Sequence, residues 1–215
     1  MKRLRYFLIS LLALVIMVFS LAAHYYYKGF YEIRTDHFNL INLPDEAEVS
    51  KINQKASELK KFSNGKRFST KYIFLIDMSI PSGKNRFFVY DISKDSIIKN
   101  SLVAHGSGDH GFSLNPTFSN QKESGCTALG KYRIGKSYPG RFGTAYKLYG
   151  LDSSNSNAFS RNIVLHAYAC VPERETYPYP ICNSRGCPMV ASAFLKQLEP
   201  IIDKSDQPVL LWIFN

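Results

Sequence analysis

The stretch KYIFLIDMSIPSGKNRFFVYDISKDSIIKNSLVAHGSG, residues 71–108, decides the fold class. It breaks into three runs, KYIFLIDMS, RFFVYDI and IIKNSLVAHGSG, parted by the turn formers PSGKN and SKDS. Short runs rich in aromatic and β-branched side chains, closed by Pro, Gly, Asn and Ser, predict strands, and three in succession predict a β-meander. Downstream, GKYRIGKSY (130–138), TAYKLYGL (144–151), RNIVLHAYA (161–169) and PVLLWIF (208–214) repeat the pattern. In this half PMVASAFLKQLEPIID (188–203) alone carries a helical stripe. The expectation is a mainly β domain over residues 70–215, a β-sandwich or β-meander core with few short helices. The Gly- and Ser-rich connection from Gly106 to Gly130 is long for a compact domain, and long connections are often functional.

Upstream the pattern changes twice. Residues 24–69 are expected to form a linker, polar and aromatic at first, then carrying a helix in LPDEAEVSKINQKASELKKFSNGK (43–66). Pro44, Asp45 and Glu46 suit its first turn, and Val49, Ile52, Ala56 and Leu59 make one apolar stripe. Lys60 and Lys61 suit the last turn, which Asn64-Gly65 ends. Before it, MKRLRYFLISLLALVIMVFSLAAHYYYKGF (1–30) has a basic start and an uncharged apolar run from Tyr6 to Ala23. Such a run fits a long signal-peptide core with cleavage after Ala22. It fits equally a short membrane anchor with Tyr25 to Tyr27 at the interface. Residues 1–23 are thus expected to be an apolar helix that directs export, as signal peptide or membrane anchor.

Net charge is +10, from 27 Lys+Arg against 17 Asp+Glu. Neither a basic helix nor a zinc-finger spacing accompanies it, so no nucleic-acid partner is expected. An anionic membrane surface or a carboxylate-rich polymer fits the charge equally well.

Cys126, Cys170, Cys182 and Cys187 admit three readings. In an exported protein the plain one is two structural bridges, with three possible pairings. A second is a metal site from His166 with Cys170 and Cys182 with Cys187, although the two tight Cys pairs of a zinc ribbon are missing. The third makes Cys187 a nucleophile. The thiolate is the reactive form, so this needs a base within reach and a positive setting. In SRGCP (184–188), Gly186 lets the backbone turn tightly before the sulfur. The helical pattern behind Cys187 is expected to aim its positive end and free N–H groups at the sulfur, as charge and as an oxyanion site. NIVLHAY, finally, ends a buried strand at His166.

HAYACVPERETYPYPICNSRGCP (166–188) resembles the active-site segment of the L,D-transpeptidases, bacterial cell-wall enzymes with a cysteine nucleophile. Their pattern is a His, a spacer and then Ser/Thr-His-Gly-Cys; here residues 167–183 separate His166 from Ser184-Arg185-Gly186-Cys187. AHGSG, ALGKYRIG and YKLYGLD fall in the expected order. SRGCPMV with GKYRIGKSYPGRFGTAYKLYGL is similar to the murein L,D-transpeptidase branch, and the resemblance covers about residues 70–215. It implies that Cys187 attacks, that His166 takes its proton, and that the Ala167 carbonyl orients the imidazole. Ser184 with the Gly186 and Cys187 amides would shape the loop and oxyanion site. Tyr146 or Tyr149 would line the substrate pocket, His105 and His110 would form a neighbouring wall, and His24 and His37 stand apart. Arg185 departs from the pattern, which has a histidine there. Always protonated, it would favour the thiolate or grip a substrate carboxylate. With Cys187 free, Cys170–Cys182 is the first expected bridge; Cys126 pairing with either, or no bridge, are the alternatives.

The activity implied is acyl transfer on peptidoglycan stem peptides, in the periplasm or at the outer face of the inner membrane of a bacterium. A Cys187 thioester forms with release of D-alanine, and a stem amine then makes a 3–3 crosslink, with no metal or organic cofactor. Water as acceptor would give an L,D-carboxypeptidase, and a protein lysine an attachment or detachment enzyme. A bridged or metal-bound Cys187 would leave a non-catalytic wall-binding module.

Overall fold

The computed structural model describes residues 3, 5, 6, 11–24 and 45–215, the side chain of His110 excepted. His37 and residues 25–44 of the expected linker lie outside the described residues. The chain divides into two compact units after Glu48. In the first, residues 11–24 form helix α1. Among the described residues, no helix is long and apolar enough to cross a membrane.

The second unit is built on one nine-stranded sheet. Its strands are β1 (Tyr72–Asp77), β2 (Phe87–Asp91), β3 (Ser96–Ser101), β4 (Val103–Ala104) and β5 (Gly130–Gly140). They continue as β6 (Gly143–Gly150), β7 (Val164–Ala167), β8 (Met189–Val190) and β9 (Leu210–Phe214). The order is β3-β2-β1-β9-β5-β6-β7-β8-β4. The first three strands are the expected antiparallel meander. The C-terminal strand β9 slots in parallel to β1 and antiparallel to β5. The run 97–108 splits, and its two pieces part company: β3 and β4 are separated by Leu102 alone, yet stand at opposite ends of the order. The sheet must therefore curl until its edges nearly meet, following the hand of twist common to all sheets. Inside lie Phe74, Phe87, Tyr132, Tyr146, Leu148 and Leu165, with Phe194, Leu195 and Leu198 of helix α3 (Ser192–Asp203).

Outside, a second cluster forms beneath helix α2 (Glu46–Ser63). Strand β2 is buried along its whole length, with Phe87 and Val89 in the inner cluster and Phe88 and Tyr90 in the outer one. Coverage on both faces explains why the run reads as unbroken apolar sequence. The Ile52, Ala56 and Leu59 stripe of α2 packs against Ile73, Leu75 and Leu210. Full burial of Ile52 and Leu59 contributes about 2 kcal/mol each. Lys51 Nζ pairs with the buried Asp77 carboxylate at 2.8 Å, and Lys55 Nζ lies 4.7 Å from the Trp212 ring centroid. From Val49 onward helix α2 belongs to the same compact unit as the sheet.

One local expectation fails. The helix after Cys187 starts at Ser192, not just behind the sulfur. Met189 and Val190 instead form β8, pairing parallel with β7 and antiparallel with β4. An open sheet slot captured a segment whose apolar spacing also suits a helix.

Candidate active site

His166 sits on β7, opposite Ala145 of β6 on one side and Met189 of β8 on the other. Its ring is 6% exposed. Nδ1 lies 3.0 Å from the Ala167 carbonyl oxygen. A carbonyl only accepts, so the proton sits on Nδ1 and the Nε2 lone pair is left available. Phe142, at the tip of the β5–β6 hairpin, stacks on the imidazole with centroids 5.5 Å apart, and Tyr168 meets Phe142 edge-on at 4.9 Å. Burial lowers the pKa of His166, partly opposed by the Ala167 bond. The ring is uncharged near neutral pH.

Cys187 lies in the bend two residues ahead of β8, where the Val164 N–H at the start of β7 reaches its sulfur. The thiol is half-buried and free, and it donates to the Asn162 carbonyl at 3.8 Å. Burial pushes its pKa up, against the pull of the Val164 N–H and the charges of Arg161 and Lys147. Thiol and imidazole therefore rest as a neutral pair.

The loop that carries Cys187 is stitched to the long connection. Ser184 N–H donates to the His105 carbonyl at 2.8 Å, and Ser107 N–H donates to the Ser184 carbonyl at 2.9 Å. Gly186 adopts φ +106°, where a Cβ would lie 2.6 Å from the Cys126 carbonyl oxygen, so only glycine fits. Its N–H donates to Ser184 Oγ at 3.0 Å. That bond makes Gly186 a loop-shaping residue and occupies the amide expected to serve an oxyanion. Cys170 and Cys182 form a disulfide that closes the segment between His166 and Cys187. Their sulfurs are thereby removed from any zinc site.

The other expected site residues fall into two groups. Tyr149 lines an open cleft of about 730 Å³ with Arg133, Lys136, Lys147 and Asn162. Tyr146 and His105 are corrections, both fully buried. Tyr146 points into the core, where its hydroxyl donates to Asp203 Oδ2 at 3.1 Å. His105 is packed inside, with Nδ1 accepting from Arg86 Nη2 at 2.9 Å and Nε2 bonded to the Ser113 carbonyl at 3.1 Å. Neither has surface to offer a ligand. Arg185 is exposed, and the cations that act on the sulfur are Arg161 and Lys147 instead. Arg161 is held by the carbonyls of Ser119 and Cys126 at 2.7 and 2.6 Å. Asn162 was equally unforeseen. It sits in the left-handed region at φ 58°, and its Oδ1 accepts from Lys147 Nζ at 2.7 Å. An Asn just ahead of an apolar strand was the available hint, since Asn tolerates that conformation best.

Comparison with known proteins places this geometry in context. No curated protein sequence matches the chain. Among solved structures, an L,D-transpeptidase from Mycobacterium smegmatis is similar at 10% identity and a TM-score of 0.41, covering 67% of this chain and 59% of that one. The L,D-transpeptidase from Xylanimonas cellulosilytica DSM 15894 aligns at 12% identity and 0.40, over 74% and 69%. The helical cell shape determining protein Pgp2 from Campylobacter jejuni aligns at 15% and 0.39, over 75% and 55%. The chain thus spans about 59% of the first of these and 55% of the last. The family model of the L,D-transpeptidase catalytic domain matches residues 44–214, taking in α2 and every strand of the sheet. On the strength of that match, the chain belongs to the L,D-transpeptidase catalytic domain family.

Proposed function

We propose that the protein is a peptidoglycan L,D-transpeptidase working through a thioester on Cys187. The observation that carries the proposal is the pairing of β7 with β8, which sets the His166 and Cys187 segments side by side within a chain of this family. In this reading the thiol turns from the Asn162 carbonyl toward Nε2 when substrate binds, a tightening common to catalytic pairs. Nε2 takes the proton as sulfur attacks the stem carbonyl that precedes D-alanine. The imidazolium then protonates the departing amine, D-alanine leaves, and a thioester remains. An acceptor amine, deprotonated by His166, displaces the sulfur and completes the crosslink. Lys147 and Arg161 offset the thiolate charge, and the Cys187 N–H is the remaining loop amide assigned to the oxyanion.

The basic composition suits a carboxylate-rich wall polymer. We assign the apolar N-terminal run to export, as signal or anchor, which puts the sheet unit outside the inner membrane. Incubating the purified full chain with muropeptides should give a covalent adduct at Cys187 by mass spectrometry, followed by crosslinked products. Cys187→Ala should lose both while keeping its circular dichroism. Turnover retained in that variant would sink the assignment, and trimmed rather than crosslinked products would point to carboxypeptidase action.

A further inference from the structure

The cleft on β5 and β6 gathers more positive charge than the chemistry at Cys187 uses. Three cations, Arg133, Lys136 and Lys147, surround it, and only Lys147 acts on the sulfur. Among the described residues, none of these three cations is in an ion pair. Clustering unpaired cations costs free energy through their mutual repulsion, which an incoming anion removes.

The side chains are also held in place without spending their charge. The Arg133 guanidinium lies 3.9 Å from the Tyr149 ring centroid, and Phe159 stacks on the same tyrosine at 5.2 Å. Ring contact orders a guanidinium while leaving its N–H fork free for a carboxylate. Lys147 is steered by Asn162 Oδ1 at 2.7 Å, and the carbonyl of that same Asn162 meets Cys187 Sγ. Asn162 therefore links the cleft lining to the sulfur. A register shift in β5 between Ile134 and Ser137 shapes the floor, where a Cβ on Gly135 would lie 2.9 Å from Tyr149 Cε2. A volume of about 730 Å³ suits several residues of peptide rather than one amino acid.

We propose that this cleft is a carboxylate-recognition subsite, in which Arg133, Lys136 and Lys147 read free carboxylates on the peptide presented to Cys187. The assignment rests on the acyl-transfer reading for the identity of the peptide, but its test is separable from it. The full chain carrying Cys187→Ala would be titrated, by calorimetry, with a synthetic stem tetrapeptide bearing free carboxylates and with the same peptide amidated. The free acid should bind at least ten-fold tighter at low salt, and the gap should shrink as salt rises. Arg133→Gln should remove most of the gap, Lys136→Gln part of it, and Arg133→Lys should restore some. Equal affinity for acid and amide would overturn the subsite without any variant, as would a gap that survives Arg133→Gln, Lys136→Gln and Lys147→Gln together. Mass spectrometry of the unsubstituted chain with the same peptides reads the acyl-transfer proposal by itself. An adduct at Cys187 without carboxylate discrimination removes the cleft assignment alone, whereas discrimination without an adduct removes acyl transfer alone.

Discussion

His166 and Cys187 each lean away from charge, the ring because burial disfavours imidazolium and the sulfur because burial disfavours thiolate. The neutral pair makes a directional prediction for pH. With the imidazole pKa below its ordinary value of about 6.5, the acidic limb of the acylation rate should fall below that pH. Alkylation of Cys187 by iodoacetamide should still be rising above pH 8.5, the ordinary thiol midpoint of about 8.5 having moved upward. A labelling rate already at plateau by pH 7 would indicate a preformed thiolate–imidazolium pair and contradict this resting state. Phe142 is the residue through which the effect is adjustable. Phe142→Ala would open the ring to water, and the acidic limb should move up toward pH 6.5.

At the scale of elements, strands β1, β2 and β9 were legible because two clusters cover both their faces, which forces apolar runs between turn formers. The His166 to Cys187 spacing was legible because both residues belong to neighbouring segments of one chain. Strand β8 was not: two residues long, it owes its state to β7 and β4, which lie far away in sequence. The electrostatics of the sulfur were hidden for the same reason, since Arg161 and Lys147 reach it only after β6 and β7 have paired. The loop between His166 and Cys187 is tied twice, by the Cys170–Cys182 bridge and by the N–H groups of Thr176 and Tyr177 on the Gly83 carbonyl at 2.9 and 3.1 Å. Replacing both bridge cysteines by alanine should cost about 2–3 kcal/mol of unfolding free energy in the chain-entropy account. Urea denaturation of the oxidised chain against the double variant measures it, and unchanged midpoints would show that the Gly83 tie suffices.

Across the whole molecule, a buried polar chain sets the acid limit. Arg86 is fully buried, with Nε and Nη2 on the Val103 carbonyl and Nη1 on that of Ile80, and desolvation lowers its pKa to about 10. It donates to His105, whose own pKa falls to about 4 through burial and the neighbouring guanidinium. The unfolded chain takes up a proton on His105 near pH 6.5, and the folded chain declines it until about pH 4. Stability is therefore intact above pH 6.5 and is lost as pH falls through that window, by roughly 3 kcal/mol at the acid end. Unfolding free energies measured from pH 7 to pH 4 should show this fall. His105→Gln should be less stable at pH 7 but flatter across the range, and a slope unaltered by the substitution would assign the acid sensitivity elsewhere.

The seam where α2 covers the sheet has a spectroscopic consequence. Trp212, the sole tryptophan of the chain, stands on β9 with the Lys55 ammonium 4.7 Å and the Lys131 ammonium 5.1 Å from its ring. Indole emission thus reports detachment of that helix and is blind to events at the thiol. A wavelength change on heating that precedes loss of the sheet's far-ultraviolet signal would mean the helix peels away first, while coincident curves would mean that helix and sheet melt as one.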